Sequence, residues 1–294
     1  MREVTVVEKL VGIIRTGRPL TWSSFVITIF SGMVISHQGI PAFKDILIIA
    51  FAIPISIIAY VNSLNAYTDY EIDVISRPDR ALPQGIVSKK SVLLFSFFLF
   101  CCSLVLSFIF LPKLLFLFVV TGLALGAAYS FRPTRVKSKG IIANISIAVG
   151  YLFLPMYGGY LWYQPILETG KEFLIVVSVL FVQTVGASTS KDLQDIEGDK
   201  AHNMGTLPIT IGIRKSELMI IWTLIIPVVT LPLLSILGVL PNSLMLLLVL
   251  IPWLILIWRK IKQPPSKQNY NRIYQHSFFF VQATILLTGI SFLF

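Results

Sequence analysis

The chain has 294 residues, 55% of them hydrophobic and only 13% charged, where soluble domains carry roughly 25% charged residues. That balance excludes a soluble globular protein and points to a helical membrane domain. The net charge of +10 does not point to nucleic acid, because the basic residues sit in short loops between apolar runs and form neither a tail nor a basic helix. Cys101 and Cys102 are adjacent inside an apolar run, so they offer no disulfide framework and no metal-ligand spacing. The opening segment, MREVTVVEKLVGIIRTGRPL, reads as too charged and too interrupted for a signal peptide.

A membrane span needs about 20 mostly apolar residues. Nine candidates follow in chain order: 20–37, 45–67, 91–111, 114–131, 141–162, 173–190, 217–239, 243–258 and 275–293. With the N-terminus placed on the cytoplasmic side, the loops alternate in charge. Of 24 lysines and arginines, only Lys44, Lys113 and Lys171 then fall outside, a strong positive-inside bias that losing any one span would scramble. The expected fold is therefore an all-α integral membrane protein, nine transmembrane helices forming one domain over residues 1–294.

The second span ends in NAYTDYEIDVISRPDRALPQG, residues 65–85. Asn65, Asp69 and Asp73 are four residues apart, so on a helix they share one face. The sixth span ends in STSKDLQDIEGDKAHNMGTLPITIG, residues 188–212, where Asp195 and Asp199 repeat that spacing and Asp192 lies one turn earlier. Each acidic face is followed by a Leu-Pro pair (82–83 and 207–208), then by a basic pair opening the next span (Lys89-Lys90 and Arg214-Lys215). This is an internal repeat: two four-helix units, spans two to five and six to nine, with the first span added in front. Two such units facing each other set their acidic ends across a shared central cavity, on the cytoplasmic side.

Carboxylates are poorly placed at helix C-termini and at a membrane boundary, so several gathered there call for a cation. Magnesium suits an oxygen-rich site and is usually held by one or two carboxylates plus substrate phosphates. Arg77 and Arg80 follow the first cluster and Lys191 precedes Asp192, and such cations grip phosphate. Together they form a candidate pyrophosphate site. Matching positions in a repeat argue against the plainer alternative of solvated loop charges. A third basic loop, Tyr129-Ser130-Phe131-Arg132-Pro133-Thr134-Arg135-Val136-Lys137, lies on the same face, and Arg18-Pro19 enters the bundle there. For both, ordinary positive-inside anchoring stays open. The three histidines, His37, His202 and His276, are scattered and form no metal-binding pair.

Asn65-x-x-x-Asp69-x-x-x-Asp73, with Arg77-Pro78-x-Arg80-x-Leu82-Pro83-x-Gly85 behind it, resembles the first motif of the UbiA superfamily of intramembrane prenyltransferases. Lys191-Asp192-x-x-Asp195-x-x-Gly198-Asp199, with Thr206-Leu207-Pro208 behind it, is similar to the second. Tyr129, Ser130 and Lys137 resemble that family's Tyr-Ser-x-Pro-x-Arg-x-Lys loop. The resemblance implies a nine-helix bundle around a cavity open to lipid, and magnesium-dependent transfer of a polyprenyl group from its diphosphate to a hydrophobic acceptor. It implies that Asp69, Asp73, Asp192, Asp195 and Asp199 hold magnesium, with Asp69, Asp73, Asp195 and Asp199 catalytic. It implies that Asn65, Arg77, Arg80, Lys191, Tyr129, Ser130 and Lys137 bind the diphosphate, and Arg18 joins them as a candidate because it enters the bundle on the same face. The motif wording is similar to the branch of chlorophyll synthases and archaeal digeranylgeranylglyceryl phosphate synthases, which implies geranylgeranyl diphosphate as donor; quinone-type acceptors stay open. Some members carry Tyr where this chain has Ala187, which bears on the acceptor pocket. Two rivals remain. CDP-alcohol phosphotransferases gather their acids in one contiguous stretch, unlike this chain. A transporter using the intramembrane acids for cation or proton coupling is the non-enzyme alternative.

Overall fold

A computed structural model describes residues 4–294 as helices and loops, with one isolated bridge between Lys139 and Gly205 and no strand among the described residues. In chain order the principal helices are α1 (Val6–Thr16), α2 (Trp22–His37), α3 (Phe43–Thr68, whose first turns are π-helical), α4 (Tyr70–Ser76), α5 (Lys89–Phe110), α6 (Lys113–Ser130), α7 (Ile141–Tyr160), α8 (Lys171–Ala187), α9 (Thr189–Ala201), α10 (Ile213–Ile236), α11 (Asn242–Ile261) and α12 (Lys267–Ile290). Nine helical stretches among the described residues are long and apolar enough to cross a membrane, matching the nine expected spans. The protein is an integral membrane protein.

The first span differs from its expected start at residue 20, because helix begins at Val6 and breaks at Gly17–Thr21. α1 opens on a capping box: the Glu8 amide donates to Thr5 Oγ1 at 3.2 Å, and the Thr5 amide donates to the Glu8 carboxylate at 2.8 Å. Val6, Val7, Leu10 and Ile14 recur at helical spacing and are all exposed, the pattern of a helix lying in a membrane interface. Pro19 cannot continue the α1 ladder, and Arg18 takes the left-handed conformation at φ 51°. The turn is held from α2 and α3. Trp22 Nε1 donates to the Gly17 carbonyl at 2.8 Å, and Asn62 Nδ2 donates to that carbonyl at 3.2 Å and to Thr21 Oγ1 at 2.8 Å.

Helices in lipid gain little from hydrophobic burial against each other, so close backbone approach and interhelical hydrogen bonds carry the packing. α2 and α7 show this most directly. A Cβ at Gly32 would stand 2.0 Å from the Met156 carbonyl oxygen, and one at Gly159 would stand 2.2 Å from that of Ile29. Gly32→Ala is therefore expected to force the two helices apart at a cost of about 1–3 kcal/mol. A lower midpoint in thermal unfolding of the detergent-solubilised protein checks this. Gly122→Ala is the neutral control, since its Cβ would meet only Leu154, at 3.9 Å. The largest buried cluster packs α8, α10 and α12 through Leu180, Leu224 and Phe280, all fully buried. α5 instead turns Phe97, Phe98, Phe108 and Ile109 outward, where lipid covers them.

Candidate active site

The four-residue spacing at the first motif survives a break in the helix. α3 ends at Thr68 and Asp69 leaves helical geometry (φ −97°, ψ 10°) before α4 starts. The Asp69 amide still donates to the Asn65 carbonyl at 2.9 Å, and the Asp73 amide to that of Asp69 at 2.7 Å. Asn65, Asp69 and Asp73 thus keep their register. The second motif is built alike: α8 ends at Ala187, and α9 continues beyond Ser188 with Lys191, Asp192, Asp195 and Asp199.

α4 and α9 touch at Gly198, where a Cβ would stand 2.0 Å from Ser76 Oγ and 3.1 Å from Ile72 Cγ2. That contact sets the distance between the two acidic helices. Across it, Arg77 Nε donates to Asp195 Oδ1 at 2.8 Å, and Arg77 Nη2 donates to Gln194 Oε1. A cation of the first motif therefore neutralises an acid of the second. Within the first motif, Arg80 Nη1 donates to both oxygens of Asp73 at 2.6 Å. Lys137 from the third basic loop is buried at 5% exposure, forms an ion pair with Asp69, and donates to Thr68 Oγ1 at 3.1 Å and Asn65 Oδ1 at 3.3 Å. Ser130 Oγ also donates to Asn65 Oδ1, at 3.4 Å. These contacts bring Ser130 and Lys137 of the Tyr129–Lys137 loop against the first acidic motif. Lys191 lies over the Tyr129 ring, 5.8 Å from its centroid. Burial pushes the Asp73 carboxyl above its ordinary value against the pull of Arg80 and Arg18. Burial likewise lowers the Lys137 ammonium against the pull of Asp69. Both charges are held in place at an electrostatic cost.

Beneath this polar layer lies a cavity with about 250 Å³ open to the centres of water-sized spheres, far above the roughly 10–15 Å³ one water needs. Its mouth carries Arg18, Asn65, Tyr129 and Lys191, with Asn62 and Tyr151 just inside. Tyr151 OH donates to Asn62 Oδ1 at 3.4 Å. The walls below are apolar, and α3 lines the cavity from Asn65 down to Ile49, about 24 Å at roughly 1.5 Å per residue. Ala187 stands in the wall beside Lys191, so the missing tyrosine leaves open space there.

Sequence reasoning missed Asn62 and Tyr151 near the cavity mouth, Tyr274 in the cavity lining, and Gln194 beside Arg77. Asn62 and Gln194 carried a signal, one a polar residue in an apolar run and the other beside an acidic motif, whereas the two tyrosines sit among many aromatics. Arg132 lies exposed, away from the ion pairs.

The donors at the site are oxygens, as a hard divalent cation prefers. No three acidic, histidine or cysteine side chains converge in ligand geometry among the described residues. Asp69, Asp73 and Asp195 each have a basic partner, whereas Asp192 and Asp199 make no ion pair among the described residues. The set fits magnesium in its usual mode, one or two carboxylates with the remaining positions filled by phosphate oxygens and water.

Comparison with known proteins agrees with this geometry. The model of the UbiA prenyltransferase family matches residues 25–282. Digeranylgeranylglyceryl phosphate synthase of Methanoregula boonei is 32% identical over 173 residues, 58% of this chain and 59% of that protein. The chain thus matches about three fifths of that relative's length. The enzyme of the same name from Natronomonas pharaonis is 32% identical over 233 residues, covering 75% of this chain and 78% of that one. A solved UbiA homologue from Archaeoglobus fulgidus, bound to GPP and Mg2+, superposes with a TM-score of 0.67 at 16% identity, covering 96% of this chain and 99% of that one, and this likeness establishes the fold. With its nine spans and both acidic helices closing one apolar cavity, the chain belongs to the UbiA prenyltransferase family.

Proposed function

We propose that the protein transfers a prenyl group, geranylgeranyl, from its diphosphate to a hydrophobic acceptor and releases pyrophosphate. The observation that carries this reading is the pairing of two acidic helices through Arg77 and Asp195 over the polar mouth of an apolar cavity. The cavity holds the chain, and its depth of about 24 Å along α3 suits four extended isoprene units. Asn65, Arg18, Tyr129, Ser130, Lys191, Lys137, Arg77 and Arg80 bind the diphosphate. Asp69, Asp73, Asp192, Asp195 and Asp199 would hold magnesium, which when bound would supply positive charge to the phosphate oxygens and make pyrophosphate a better leaving group. As the C1–O bond breaks, the fixed lysine and arginine charges take up the negative charge gathering on the leaving oxygen. The apolar walls keep water from the allylic carbon until the acceptor attacks. Tyr151, lining the cavity just inside its mouth, supplies aromatic surface to the developing cation. Both motifs face the cytoplasm in this reading, since the basic loops cluster on their side of the bundle.

The names of the relatives favour a glyceryl phosphate acceptor carrying a prenyl chain. Purified protein given labelled geranylgeranyl diphosphate, with geranylgeranylglyceryl phosphate, a hydroxybenzoate, a naphthoate or a chlorophyllide, tests this. The expected outcome is pyrophosphate release with the glyceryl phosphate acceptor, abolished by EDTA and restored by magnesium. Release with another panel member would move the protein to another branch. Absence of donor binding would overturn the reading in favour of transport.

A further inference from the structure

A second cavity adjoins the first and shares one residue with it, Arg18. It lies between α1 and the segment after α4, and its charged lining is Glu8, Arg15, Arg18, Asp73, Asp79 and Arg80. Most of these charges are engaged. Arg80 holds Asp73, and Glu8 is bonded to Thr5 in the α1 cap. The guanidiniums of Arg15 and Arg18 make no ion pair or hydrogen bond among the described residues. Exposed Arg15 and half-buried Arg18 thus line an open space in which Asp79 is the acid left without a bond or ion pair among the described residues.

Arg18 has been placed there at a cost. Its backbone is left-handed, a conformation that disfavours any residue with a Cβ, and the bonds from Trp22, Asn62 and Thr21 hold the turn against that preference. The result is a guanidinium in the wall between two cavities, with Tyr151 and Tyr274 lining one side and Asp73 and Arg80 the other. A half-buried cation with no ion pair or hydrogen bond of its own among the described residues favours the arrival of an anion, and a guanidinium fork suits phosphate.

We propose that this second cavity is a binding subsite for a phosphate-bearing anion adjoining the transfer site, with Arg15 its dedicated contact and Arg18 shared between the two. The proposal rests on the prenyl-transfer reading for the source of that anion, and there are two sources. Transfer yields one lipid and one highly charged water-soluble product, and an apolar cavity provides no path for pyrophosphate. The other source is the phosphate headgroup of a lipid acceptor, which would sit at the depth of the interfacial helix α1.

The test uses the full chain in nanodiscs, comparing wild type with Arg15→Gln and Arg15→Lys. One arm measures inhibition by inorganic pyrophosphate at saturating donor. The other measures KM for geranylgeranylglyceryl phosphate and for the same lipid without its phosphate. Losing a hydrogen bond to a charged partner predicts about a tenfold or larger weakening in one arm for Arg15→Gln, and a smaller one for Arg15→Lys. The single-turnover transfer rate should not change. Weaker pyrophosphate inhibition with unchanged KM identifies the released product as the occupant. A KM raised only for the phosphate-bearing acceptor identifies the headgroup. No change in either arm, in a variant that turns over normally, overturns the subsite. If the wild type itself does not turn over, the prenyl-transfer reading fails. Direct titration of inorganic pyrophosphate into wild type and Arg15→Gln then judges the subsite alone, and equal affinities overturn it.

Discussion

Asp195→Asn is expected to lower kcat for prenyl transfer by about a hundred- to a thousandfold while leaving the protein folded. The substitution keeps the shape of the side chain and removes its charge. Arg77 then loses its 2.8 Å ion pair, the charged one of its two contacts with the second motif, and keeps only the bond to Gln194. Loss of a single preorganised electrostatic contact at developing charge costs about 2.7–4 kcal/mol, or roughly two to three decades in rate. Asp195 lies at the crossing of the two motifs, so its removal also loosens Arg77 and weakens magnesium binding in the proposed site. Asp69→Asn should be comparable, because buried Lys137 would keep its charge without the carboxylate that compensates it. Steady-state pyrophosphate release checks both, with thermal unfolding in detergent as the control for folding. Full activity in either variant would remove that residue from the site.

The elements that place these acids were legible to different degrees. Nine spans could be read because apolar length and loop charge both bear on that count, and a wrong count would have broken the charge alternation. The two acidic faces could be read because four-residue spacing maps directly onto a helix surface. Cross-pairing could not. Arg77 and Asp195 are 118 residues apart, and spacing within a motif says nothing about which cation reaches across. The break at Gly17–Thr21 was visible only as Arg18-Pro19, because the bonds that hold it come from Trp22 and from Asn62 on another helix. α1 was overlooked as a helix because its apolar stripe, Val6, Val7, Leu10 and Ile14, is too narrow to register as a span, though it suits an interface.

The same distinction between spacing and approach governs Gly198, which the second motif displays without revealing its purpose. Any side chain there meets α4, and Gly198→Val is expected to push the two acidic helices apart and lower kcat by about a hundredfold, the scale associated with a displacement near 1 Å at a reacting centre. Gly198→Ala is the informative variant. Its Cβ would overlap Ser76 Oγ at 2.0 Å, while Ile72 Cγ2 at 3.1 Å and the Ile72 carbonyl oxygen at 3.2 Å would need to give only a few tenths of an ångström. Ser76 Oγ is buried and has no hydrogen-bond partner among the described residues, so removing it breaks no bond there. Ser76→Gly alone should therefore be nearly silent, whereas Ser76→Gly combined with Gly198→Ala should recover most of the activity that Gly198→Ala loses. That non-additivity, measured as a double-mutant cycle on kcat, belongs to residues in direct contact. Additive losses would mean that Gly198 acts through something other than the spacing of α4 and α9, such as the conformation of α9 itself. The site would then owe its geometry to the contacts of Arg77 with Asp195 and Gln194 rather than to that close approach.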